Sequence, residues 1–173
     1  FGVFQIPVAA EFGWPRADFS MAIAIQNLAW GIGQPLFWAV AERFGDRRAI
    51  ILGAVLYAAG LVLSGFAVTP GAHQMLNILI GFGIAGTGFG VILAMVARAA
   101  TPENRSLTLG ITTAAGSAGQ VLGAPAAELL LQVYSWQTVF VVFAAVIPLA
   151  LSVLPLLRAP AAATQAEVEA SLG

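Results

Sequence analysis

From Ala49 to Ala97 the chain carries no formal charge, His73 aside. A soluble domain cannot make a water-facing surface from such a stretch, so the segment must be surrounded by lipid or by other apolar protein. The rest of the chain agrees: 60% of its 173 residues are hydrophobic and only 9% are charged, with a mean hydropathy of +0.91, well beyond the soluble range. In hydrocarbon every backbone N–H and C=O must be satisfied within the protein, which leaves helices or closed barrels. Barrel strands are short and alternate apolar with polar residues. These runs do not alternate, so the fold class expected is all-α, a polytopic membrane helix bundle.

A helix rising about 1.5 Å per residue needs about 20 residues to cross roughly 30 Å of hydrocarbon. Five runs meet that length: Phe19 to Val40, Ala49 to Val68, Gln74 to Ala97, Ser106 to Leu131 and Thr138 to Leu157. Asp18 is the expected N-cap of the first, after the turn "GWPRAD". "TPGAH" at Thr69 to His73 cuts the long neutral stretch, "TPENRS" leads into the fourth run, and Arg158 with Pro160 stops the fifth. A shorter apolar run, Phe1 to Ala10, reads as a span that begins within the helix. Residues 1–158 therefore form one six-span unit with an incomplete first span, and residues 159–173, "APAAATQAEVEASLG", begin a cytoplasmic linker or tail.

All seven basic residues are arginines. In this arrangement six of them, Arg43, Arg47, Arg48, Arg98, Arg105 and Arg158, fall on one side of the membrane and only Arg16 on the other, so the first side is expected to be cytoplasmic. Scattered arginines with a net charge of −1 make no basic patch, which excludes nucleic acid as a partner. With no cysteine and one histidine, no disulfide framework or metal site is expected. No ATP site is visible, and no cofactor is expected.

Five of the seven residues from Glu42 to Arg48 are charged. The surrounding stretch "WAVAERFGDRR" (Trp38 to Arg48) resembles the loop between the second and third spans of the major facilitator superfamily, G-x-L-A-D-R-x-G-R-R. Ala41, Glu42, Arg43, Gly45 and Arg47 stand at matching positions. Trp38 replaces the first glycine, Val40 leucine, Glu42 aspartate and Asp46 the first arginine of the closing pair. Six spans with both ends inside is the layout of one half of such a twelve-span transporter, and the resemblance runs over the whole chain in span order. Within the superfamily "FGVFQIPVAAEFGW" looks like the monocarboxylate and oxalate/formate carrier branch. The resemblance implies that Glu42 and Arg43, with Gly45 and Arg47 shaping the loop, join a charge network latching this half to the missing C-terminal half of the same chain. Any short inner loop is charged, however, and a glycine there also serves the turn alone.

Polar residues within the runs are costly and therefore informative. Gln26, Trp30 and Gln34 are four apart and share one helix face, with Asn27 beside it. Thr112, Gly116 and Gln120 make a similar row, flanked by Thr113 and Ser117, while Asn77 and Thr87 lie on the third long run. Amides and an indole can orient a small polar or carboxylate solute without fixed charge, so Gln26, Trp30, Gln34, Asn77, Thr87 and Gln120 are candidates for a substrate cavity. The same groups serve elsewhere as bonds between helices. Glu128, the one acid within a run, is either a proton site or an interfacial carboxylate.

The glycine pairs Gly86/Gly90 and Gly119/Gly123 have G-x-x-x-G spacing and are expected at close helix crossings. They lie in apolar runs without a lysine, so neither is a phosphate loop. Pro125 frees a backbone carbonyl and permits bending. "GAP" at Gly123 to Pro125 resembles the fifth-span G-P motif of antiporters in the superfamily. Asn77 stands where other members carry the arginine of R-x-x-Q-G, a departure from the drug/proton antiport pattern.

The expected function is secondary active transport of a small solute, an organic anion such as a carboxylate, by alternating access in a bacterial cytoplasmic membrane. The partners implied are membrane lipid, the solute and the other half. A non-transporting membrane scaffold, or a truncated fragment that merely inserts, is the alternative. A membrane-embedded enzyme would need a catalytic cluster that His73, in its outer turn, does not supply.

Overall fold

Glycine and proline placement decides where each helix starts and stops. The structure is a computed structural model and describes residues 2–152; the end of the fifth long run and the expected linker lie outside them. A 3-10 turn at Gly2–Phe4 leads into α1 (Gln5–Phe12), followed by α2 (Arg16–Phe44), α3 (Asp46–Ser64), α4 (Pro70–Thr87), α5 (Phe89–Ala99), α6 (Arg105–Leu131) and α7 (Trp136–Leu151). Among the described residues there is no strand. The end of the bundle bearing Arg43, Arg47, Arg48, Arg98 and Arg105 is called here the arginine-rich end.

Three boundaries differ from the sequence expectation. Asp18 is not the N-cap of α2: Pro15 holds that place, with φ −56° and ψ 141°, and Asp18 lies in the first turn. The Pro15 carbonyl accepts from the Asp18 N–H at 3.0 Å, closing the first turn, and an acid in that turn still complements the helix dipole. "TPGAH" is a helix start rather than a loop. Thr69 caps α4 by accepting from the Ala72 N–H at 3.3 Å, and Pro70 is the first helical residue. The third long run is two helices, with Gly88 in extended geometry between them (φ −80°, ψ 179°).

Close approach needs glycine where α4 crosses its neighbours. A Cβ on Gly53 would lie 2.6 Å from the Cα of Gly86, and one on Gly83 would lie 2.5 Å from the Cα of Tyr57. A Cβ on Gly86 would strike the Phe37 ring. Two cores flank this seam: Phe19, Leu61, Ile80, Trp136, Val139 and Phe140 toward the end opposite the arginines, and Phe37, Ala41, Ala49, Ile50, Ala85 and Val91 toward the arginine-rich end.

The outside is apolar. On α2, Leu28, Ile32 and Leu36 form an exposed row at four-residue spacing, which suits lipid and not water. Asp46–Ser64 and Pro70–Ala99 are long and apolar enough to cross a membrane.

Candidate functional site

Trp30 is the midpoint of α2 by residue count and faces the break between α4 and α5. Its Nε1 lies 3.6 Å from where a Gly88 Cβ would stand, and the Gln34 Oε1, one turn on, lies 2.5 Å from a Cβ on Gly90. The first N–H groups of a helix have no intrahelical acceptor, so the start of α5 presents a positive dipole end beside the indole N–H. α5 has no side-chain cap, and Trp30 Nε1 is buried without a hydrogen-bond partner. Thr87, the last residue of α4, has turned its hydroxyl back to donate to the Gly83 carbonyl at 2.9 Å. Trp30, Gln34 and Thr87 are thus brought together around the break.

The other cavity candidates fall elsewhere. Gln26 is buried one turn before Trp30, and Asn77 is fully buried in the bundle, its Nδ2 donating to the His73 carbonyl at 2.8 Å. Gln120 is exposed on α6 and lines a separate, largely apolar cavity of about 680 Å³ with Phe4, Tyr57, Leu61, Phe140 and Phe143. Gly119 and Gly123 line the same cavity, and a Cβ on either would meet nothing within 4 Å. Among the described residues they are therefore not at a helix crossing, since their face of α6 looks into open space. Gly116, one turn earlier, meets the Phe89 ring. Pro125 lies within a continuous α6, and Glu128 is exposed near its end with no side-chain partner among the described residues.

At the arginine-rich end, Gly45 joins α2 to α3 with φ +91°, a conformation that requires glycine. Its N–H bonds the Ala41 carbonyl at 2.9 Å. Glu42 is exposed, and its Oε1 accepts from Trp38 Nε1 at 2.7 Å. Arg43 lies 5.5 Å over the Phe44 ring, and Arg47 is exposed. The ion pair here is between two other residues. Asp46, at the start of α3, accepts from both Arg98 Nη2 and Arg98 Nε, the latter at 3.3 Å, and so ties α3 to the end of α5. In the next loop, hydrogen bonds from its own backbone N–H and from the Thr101 hydroxyl hold the Glu103 carboxyl below its usual pKa.

At the opposite end, "EFGW" ties the first helix to the last. Gly13 ends α1 in the left-handed conformation, φ +65°, with its N–H on the Ala9 carbonyl. Phe12 and Trp14 then stack at 4.9 Å. Glu11 accepts from the Trp136 indole N–H and from Gln137 Nε2 at 3.1 Å, both in the first turn of α7.

Sequence reasoning missed Gly88, Asp46 with Arg98, and Glu11. Asp46 was visible as an acid where the loop motif has a basic residue, and Arg98 as the first charge after the neutral run.

The profile of the Major Facilitator Superfamily matches residues 1–172. Among curated proteins, Monocarboxylate transporter 13 of Bos taurus is 34% identical over 139 residues, covering 79% of this chain and 32% of the relative. Monocarboxylate transporter 11 of Mus musculus is 30% identical over 142 residues, covering 80% and 29%. Multidrug resistance protein MdtH of Salmonella paratyphi B is 31% identical over 135 residues, covering 76% and 33%. The chain spans about a third of the length of these relatives.

Proposed function

Because the chain belongs to the Major Facilitator Superfamily, and so to an integral membrane protein, we propose that it forms part of a secondary transporter that moves a small organic anion, a carboxylate in particular. The observation that carries the reading is the broken fourth span: the uncapped N-terminus of α5 beside the unpartnered indole N–H of Trp30, near the middle of α2. Half-helix N-termini at mid-membrane are suited to anionic groups. The indole adds a donor that has no acceptor among the described residues. Gln34 supplies a neutral amide to orient the rest of the solute. The names of two relatives, monocarboxylate transporters, support the same solute class.

Alternating access needs a second bundle to rock against this one. The exposed Glu42 and Arg43 would take part in that contact, as the loop resemblance implies. Residues 159–173 would run from this bundle as a cytoplasmic linker.

The experiment is uptake of radiolabelled short-chain monocarboxylates into proteoliposomes, with neutral isosteres as comparators. Saturable uptake of the carboxylates alone is the expected result. Trp30→Phe keeps the ring and removes the donor; a hydrogen bond to a charged group contributes about 1.5–3 kcal/mol, so apparent affinity should fall at least about tenfold. Equal uptake of neutral isosteres, or an unchanged Trp30→Phe protein, would refute the anion reading.

A further inference from the structure

Five buried side-chain atoms have no hydrogen-bond partner among the described residues: Gln26 Oε1, Trp30 Nε1, Ser64 Oγ, His73 Nε2 and Asn77 Oδ1. Trp30 belongs to the broken-span site. Of the other four, three are oxygens, and they come from three different helices: Gln26 from α2, Ser64 from α3 and Asn77 from α4.

Helix register brings the three residues to about one level. Across the antiparallel α3 and α4, a Cβ on Gly60 would lie 2.6 Å from Ile80 Cγ1. One turn along α3 and one turn back along α4 from that contact set Ser64 opposite Asn77. Across the parallel α2 and α4, the Gln26 carbonyl abuts Gly81, one turn from Asn77. Helical side chains lean toward their own N-terminus, which carries the Gln26 amide back toward the level of Asn77. Ser64 and Asn77 are both 0% exposed and Gln26 is 8% exposed.

Were these side chains only glue between helices, they would hydrogen-bond one another. They do not. Asn77 has spent its Nδ2 on the His73 carbonyl, so what it offers inward is an oxygen lone pair. Leaving buried polar groups unmet inside a membrane protein is costly. Among the described residues nothing meets them.

We propose that Gln26 Oε1, Ser64 Oγ and Asn77 Oδ1 form a binding site for a small monovalent cation, with Na⁺ as the ion of matching chemistry. Oxygen donors suit hard cations. The ligand set is neutral, so a divalent ion would keep too much uncompensated charge in a low dielectric. Ser64 is also the last residue of α3, and the C-terminal end of a helix dipole favours positive charge. His73, one turn nearer the start of α4, is buried against Trp14 and Phe19.

Ion binding is read without any solute, so this proposal stands or falls independently of the transport reading. The test measures thermal unfolding of the detergent-purified protein as choline chloride is replaced by NaCl or KCl at constant ionic strength. A saturable rise of a few degrees in Tm is expected with Na⁺, larger than with K⁺. Asn77→Leu should abolish it, and Ser64→Ala, which removes one oxygen with little change of volume, should weaken Na⁺ binding about tenfold. If Asn77→Leu does not fold, Ser64→Ala and the broadening of the ²³Na resonance by wild-type protein give the same reading. Identical curves in choline and Na⁺, meaning that water alone fills the junction, would overturn the proposal. So would a Na⁺ effect that Ser64→Ala leaves unchanged.

Discussion

A single methyl group separates the two kinds of glycine in this chain. A Cβ at Gly86 would strike the Phe37 ring and come within 2.7 Å of the Gly53 Cα, while one at Gly119 would meet nothing within 4 Å. Overpacking of a tight site costs about 1–3 kcal/mol, so Gly86→Ala should lower Tm by several degrees in detergent. Gly119→Ala should leave it unchanged or raise it slightly, since alanine is the better helix former. At the arginine-rich end, Glu42→Gln keeps an acceptor for the Trp38 indole but removes the charge. If Glu42 serves the latch between halves, uptake by proteoliposomes should fall by about tenfold or more at equal membrane insertion, the loss expected for a charged hydrogen bond. Unchanged uptake would leave Glu42 a solvated loop residue.

At the scale of elements, the link between α3 and α5 is the Asp46–Arg98 pair, and its side chains are partly exposed. Exposed pairs contribute about 0–1 kcal/mol. Asp46→Asn and Arg98→Gln should therefore each destabilise by less than about 1 kcal/mol, and the double variant should cost no more than either single one. A double-mutant cycle on chemical unfolding measures this coupling directly. The break at Gly88 is of another kind, because it is made by backbone. The glycine-rich run Gly81 to Gly90 reads from sequence as a packing surface. Each of its glycines also weakens the helix by about 1 kcal/mol relative to alanine. Which of the two properties prevails at each glycine depends on what the neighbouring helix presents: the backbone of α3 at Gly83 and Gly86, and the Trp30 and Gln34 side chains at Gly88 and Gly90.

For the molecule as a whole, the prediction concerns sidedness. The chain has no cysteine, so Arg47→Cys introduces one thiol into the exposed first turn of α3, beside the α2–α3 turn. The positive-inside rule predicts that turn to be on the cytoplasmic side. A membrane-impermeant maleimide should label it only after cells are opened, and labelling in intact cells would invert the topology.

The sequence by itself determined that this chain is a set of membrane helices, and nearly where α6 begins and ends: Ser106 to Leu131 expected, Arg105–Leu131 observed. That follows because lipid makes each segment satisfy its own backbone, a local requirement that local composition answers. Tertiary structure alone decided which helix faces meet. The pairs Gly86/Gly90 and Gly119/Gly123 have the same spacing, yet the first contacts α2 and α3 and the second lines a cavity. Likewise Asp46 chose Arg98, and Glu11 chose Trp136. Spacing puts residues on one face of a helix, but what that face touches depends on the register of elements far apart in the chain.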